Sequence, residues 1–138
     1  MTDEQIKSYY AARTLVGTRG WIMNRADLES QVTFSCDAAW VLAGAREVLD
    51  HARLEGLVVC SYDAAQVLAN VRKVIDRARL ESLVTNSCNA AWVLARAHEV
   101  LDRARLESLV TDSKDAAWVL ACAREFADQA RLMQIVGE

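Results

Sequence analysis

The sequence predicts an all-α protein: tandem helical repeats of 26 residues forming an antiparallel helical array or a short α-solenoid. Three observations carry that expectation. The phrase ARLESLV stands at 78–84 and again at 104–110, with the variants ARLEGLV at 52–58 and ADLESQV at 26–32. Asp37, Asp63, Asn89 and Asp115 each open the same longer phrase and lie 26 residues apart, a period that marks stacked supersecondary units. The chain has no proline and five glycines. With much Ala, Leu, Arg and Glu, that mixture favours helix throughout and leaves few turn residues for a sheet. Its length suits a single helical-repeat domain over 1–138.

Residues 1–36 form a degenerate first unit. It carries Gly17 and Gly20 and reads ARTLV where the next unit reads AAWVL. Altered outer units are expected of an array, because its ends face water, and this one is assigned as the N-terminal cap.

Residues 37–62 define the repeat. Ala38, Val41, Leu42, Ala45, Val48, Leu49 and Ala52 recur at helical spacing. Ser35 and Asp37 mark the start, since Ser, Asp and Asn accept hydrogen bonds from the free N–H groups of a first turn. Leu54, Leu57 and Val58 fall on the opposite side of the wheel, in phase with Ala39, Trp40 and Ala43. Antiparallel neighbours would cover that second patch, setting it against Ala65 and Val67. The expectation is one uninterrupted helix over 37–58. Its rival is a helix pair broken near Gly44 and Asn70, residues that tolerate the left-handed turn ending many helices, with Gly17-Thr18-Arg19-Gly20 at the same place in the first unit.

Residues 63–88 and 89–114 are the other core repeats and share 17 of 26 positions, so they should share one packing. Asp63 and Gln66 add capping-box spacing. By analogy, Val93, Leu94, Ala97, Val100, Leu101 and Ala104 form the expected core stripe of the third repeat. The joining segments VCSY, TNSC and TDSK are short, as between helical neighbours. Residues 115–138 end in RLMQIVGE and are assigned as the C-terminal cap.

Composition excludes several function classes. Hydrophobic residues make up 53% and charged residues 25%, a globular balance. Net charge is −3, which argues against a broad phosphate-binding face. The polar N-terminus MTDEQIKSYY is not a signal peptide, and no apolar run reaches the about 18 residues of a membrane helix. Cys36, Cys60, Cys88 and Cys122 form no C-x-x-C pair and fit no zinc or haem spacing. They are expected to be small buried thiols in a reducing, cytoplasmic compartment.

Catalytic and cofactor motifs are missing: no phosphate-binding loop, dinucleotide fingerprint, H-E-x-x-H or nucleophile elbow occurs. His51 and His98 are not repeat-equivalent. Glu47 with Asp50, and Glu99 with Asp102, recur beside arginines and fit surface ion pairs. No enzyme, cofactor or metal is expected. Arg53, Arg79, Arg105 and Arg131 form a cation register that could follow a nucleic acid backbone. Asp50, Asp76, Asp102 and Asp128 run beside it with Glu55, Glu81 and Glu107, and mixed charge fits a solvated face.

The variable slots carry the functional expectation. One reads Trp40, Gln66, Trp92, Trp118; a second Gly44, Asn70, Arg96, Cys122; a third His51, Arg77, Arg103, Gln129. All three fall on one helical stripe while the surrounding letters hold. Repeat proteins present binding faces in that way, and Trp and Arg are enriched at hot spots. Trp40, Trp92, Trp118, Arg96 and Arg103 are the expected binding residues of a non-enzymatic scaffold for a protein partner. The alternative for the Trp rings is packing on the neighbouring helix. If helices alternate in direction, Trp40 and Trp92 share one edge, with Gln66 and Trp118 on the other. A self-assembling homo-oligomer is the first alternative function, and a nucleic-acid-binding repeat protein the second.

Overall fold

Each repeat folds as two short helices, not one, in the computed structural model, which describes residues 1–18, 22 and 24–137. Ten helices and no strand are present among the described residues. They fall into two compact units, Met1–Val59 and Cys60–Glu138.

The first unit begins with α1 (Asp3–Gly17). A capping box starts it: Thr2 Oγ1 accepts from the Gln5 amide at 3.1 Å, and Gln5 Oε1 accepts from the Thr2 amide at 2.7 Å. Then come α2 (Arg25–Gln31), α3 (Ser35–Gly44) and α4 (His51–Leu57). Helix α1 packs on α2 and α3, and α3 packs on α4. Ala11, Ala12 and Leu15 are buried as Ala38, Ala39 and Leu42 are. AARTL, rather than the expected ARTLV, therefore answers AAWVL, one residue out of the repeat register. Arg19 and Gly20 of the expected turn lie outside the described residues.

The second unit repeats the pattern with α5 (Ser61–Asn70), α6 (Arg77–Leu83), α7 (Ser87–Arg96), α8 (Arg103–Leu109), α9 (Ser113–Cys122) and α10 (Gln129–Gly137). Helices α5, α7 and α9 pack in sequence, and each also packs on the shorter helix that follows it. The A-A-x-V-L phrase explains the stacking. Ala64, Ala65, Ala90 and Ala91 are fully buried, and side chains this small let neighbouring helices approach closely.

The N-terminal ends of these helices lie together. Asn89 Nδ2 donates to Ser61 Oγ at 2.8 Å, and Ser87 Oγ donates to Asp115 Oδ2 at 2.8 Å. In the first unit, Ser8 Oγ likewise donates to Asp37 Oδ2 at 2.7 Å. The long helices of a unit therefore run parallel. That overturns the expected alternation, since Gln66, Trp92 and Trp118 point to the same side of the second unit. Asp37, Asp63 and Asn89 lie in the first turn of their helices, and all three are buried.

The uninterrupted helix over 37–58 is likewise overturned, and so is the left-handed break of its rival. Helix α3 ends at Gly44, Ala45 is extended at φ −76° and ψ 141°, and no positive φ occurs among the described residues. The same extended exit follows Asn70, Arg96 and Cys122. What sustains it is a carboxylate from the preceding repeat. Buried Glu29 accepts from the amides of Leu49 and Asp50 at 2.7 and 2.9 Å. Glu81 does the same for Leu101 and Asp102 at 2.7 and 2.9 Å, and Glu107 for Ala127 and Asp128. Asp50, Asp76, Asp102 and Asp128 then cap the short helices, each accepting from the amide three residues on at 3.1 Å.

Gly44 has a different reason from a turn. A Cβ there would meet Val16 Cγ1 at 3.0 Å, so a side chain would have to push Val16 of α1 aside by a few tenths of an ångström.

Burial corrects the expected stripe. Val93 and Leu94 are buried, but Leu101 is 55% exposed, Ala104 is exposed, and Ala97 and Val100 are half-buried. The inner face of the short helix is instead Leu106 with Val110, as Leu80 with Val84 and Leu54 with Val58, all fully buried. The phase jump at Leu54 thus records a second helix. The cysteines are corrected too: all four are free and exposed. Glu55, Glu81 and Glu107 leave the solvated face assigned to them; each, like Glu29, is 3% exposed.

Candidate functional site

The arginine register at 53, 105 and 131 is occupied by structure. Arg105 Nη1 donates to the Glu81 carbonyl at 2.8 Å, and its Nη2 to those of Ser82 at 3.4 Å and Val84 at 2.9 Å. Arg53 and Arg131 make the same three bonds to the repeat before them. These forks bind carbonyls at the end of the preceding short helix and leave no such guanidinium turned outward for a phosphate.

The third variable slot is partly structural as well. Arg77 is buried, and its Nη1 donates to the Glu99 carbonyl at 2.8 Å. Arg103 Nη1 donates to the Glu125 carbonyl at 3.1 Å, and Arg25 Nη1 to that of Glu47 at 2.7 Å. Each tethers a short helix to the helix exit of the next repeat. His51 holds the same slot, its Nε2 2.8 Å from Glu55 Oε2.

Arg96 and Arg103 do come together. They line an open hollow of about 510 Å³ with His98, Glu99, Cys122 and Arg124, among others, where α7 and α9 end. A second hollow of about 200 Å³, lined by Asn70 and Arg72, shares Arg96 and His98 with it. The two form one groove across the exits of α5, α7 and α9. Its acids have cations beside them: Glu99 lies 4.0 Å from Arg77, and Glu125 lies 3.9 Å from Arg103. Arg72, Arg96 and Arg124 are exposed, and none is paired with a carboxylate among the described residues. Sequence reasoning passed over Arg72 and Arg124 and gave His98 no role. Their signal was a register of its own, Arg46, Arg72, His98 and Arg124, spaced 26 residues apart.

Trp92 and Trp118 lie one turn back on α7 and α9 and outside the groove lining. Trp92 precedes Arg96 by four residues, so the two share a face of α7. Its ring is half-buried, with its centroid 5.7 Å from that of Tyr62. Trp40 rests the same way on Tyr9, at 5.8 Å. Trp118 is 36% exposed. Iodide should therefore quench Trp118 more than Trp40 or Trp92: Trp118→Phe should remove more of the quenchable emission than Trp92→Phe. A larger loss from Trp92→Phe would show the aromatic contact with Tyr62 to be open in solution.

A further row of side chains stands exposed just before each short helix: Leu49 at 56%, Ile75 at 63% and Leu101 at 55%. Among the described residues, no group of three or more His, Cys, Asp or Glu is placed to hold a metal ion, and no helix is long and apolar enough to cross a membrane. The chain matches no protein-family model, no curated protein and no solved structure.

Proposed function

We propose that this protein is a non-enzymatic helical-repeat scaffold that binds a protein partner across the second unit, through Trp92, Trp118, Arg96 and Arg103, with Trp40 offering the same aromatic surface in the first. The observation that carries the reading is the contrast within each repeat. The letters that build the stack are held and buried, while Arg96, Cys122 and Trp118, at varied slots, are exposed on helices of fixed register. A rigid frame with a variable surface suits recognition. A cytoplasmic setting fits four exposed free thiols, since an oxidising compartment favours disulfides.

Capture from source-cell extract tests it. The intact protein should retain a partner that Trp118→Ala with Arg96→Ala loses, at unchanged thermal stability. Equal capture by both forms would place the docking surface elsewhere. Pairing between copies is the second reading, favoured by Trp118, Met133 at 60% and Val136 at 41% exposure in α9 and α10. Light scattering across concentration would report it as a rise in mass.

A further inference from the structure

We infer that the groove across the exits of α5, α7 and α9 takes an extended acidic peptide carrying a carboxylate at every third residue. This deepens the docking reading above and rests on it. Three features lead to it.

The first is charge. After the Arg77–Glu99 and Arg103–Glu125 contacts are set aside, the groove keeps Arg72, Arg96 and Arg124, with His98 between them. One unpaired arginine therefore stands at each helix exit, on a protein whose net charge is −3.

The second is that the fold does not need Arg96, and it makes no side-chain bond to Arg72 or Arg124 among the described residues. Cations near a helix C-terminus offset its dipole, but the exits are closed alike whatever occupies the last helical position. The amides of Val71, Ala97 and Ala123 donate to carbonyls four residues back at 2.8 Å, after Asn70, Arg96 and Cys122 respectively. Asn70 Nδ2 even turns inward, donating to the Gln66 carbonyl at 2.8 Å, whereas Arg96 makes no such bond and stays exposed.

The third is spacing. Packed helices lie about 8–10 Å apart, and an extended chain rises about 3.3 Å per residue. Three peptide residues therefore span one repeat, and carboxylates at every third position meet Arg72, then Arg96 beside His98, then Arg124. Each arginine offers the planar donor fork that binds a carboxylate in two places.

The test uses the full chain and a fluorescein-labelled peptide of four Glu-Ser-Ala triplets, followed by fluorescence anisotropy. A control peptide has the same composition with its glutamates together at one end, and oligothymidylate of equal length is the nucleic acid arm. The spaced peptide should bind at least about ten-fold tighter than the control, and Arg96→Glu or Arg124→Glu should each weaken it by about ten-fold. Arg96→Gln should give a smaller loss in the same direction. Both side chains are exposed, so circular dichroism melts should match the parent and exclude misfolding as the cause.

Equal binding of the two peptides, no effect of Arg96→Glu, or tighter binding of oligothymidylate would each overturn the inference. Capture of the cellular partner separates this failure from that of the docking reading. A partner held undiminished by Arg72→Glu with Arg124→Glu, but lost by Trp118→Ala with Arg96→Ala, would sink the acidic groove and keep the docking surface.

Discussion

Leu106→Ala is expected to destabilise the second unit by about 2–5 kcal/mol, the range for deleting a buried leucine side chain and leaving a cavity. Leu106 is fully buried in α8. Helix α8 packs on α7. Leu101→Ala, five residues earlier, should change stability by less than about 0.5 kcal/mol, as for most surface substitutions, because Leu101 is 55% exposed. Urea unfolding of both variants checks the pair. A Leu101→Ala loss comparable with that of Leu106→Ala would return the core to the stripe that simple periodicity favours and would contradict the two-helix repeat.

Glu81→Ala should cost about 3 kcal/mol, from two charge-assisted hydrogen bonds lost in a buried place. Among the described residues, the carboxylate alone accepts from the amides of Leu101 and Asp102, and Glu81 is 3% exposed. Glu81→Gln should cost less, because one oxygen still accepts while the amide nitrogen confronts a donor. Met133 supplies the internal control. It holds the same repeat position, is 60% exposed, and has no following helix exit among the described residues. Met133→Glu should therefore change stability by less than about 0.5 kcal/mol. Chemical denaturation measures all three. A Glu81→Ala loss under about 1 kcal/mol would mean that water satisfies the exit amides as well as the carboxylate does.

These two residues also divide what local pattern reveals from what it hides. The docking groove shows the same division. The register of Arg46, Arg72, His98 and Arg124 is visible in the letters, but so is that of Arg53, Arg79, Arg105 and Arg131. Nothing in a one-dimensional pattern says that Arg105 folds back onto the carbonyls of Glu81, Ser82 and Val84 while Arg124 stays free. Both are arginines on a helical unit. They differ in whether a preceding repeat offers unpaired carbonyls within reach.

The sequence by itself determined the helical class, the period, the small-residue face of the long helices and the position of each helix start near Ser35, Ser61, Ser87 and Ser113. Those features depend on composition and on neighbours within a few residues, where intrinsic propensity and hydrophobic spacing act. Only the tertiary structure decided that each unit is two helices running through an extended exit at 45–50, 71–76, 97–102 and 123–128. Leaving a helix strands amide and carbonyl groups, and an exit is stable only if something satisfies them. Here the satisfying groups belong to the repeat before: Glu81 reaches amides 20 and 21 residues on, and Arg105 reaches back 21 to 24 residues. A bond of that separation leaves no mark on the periodicity of either segment. The stripe through Ala97, Val100 and Leu101 therefore reads as one continuous helix, although the chain, held by a neighbour's carboxylate, has already turned away.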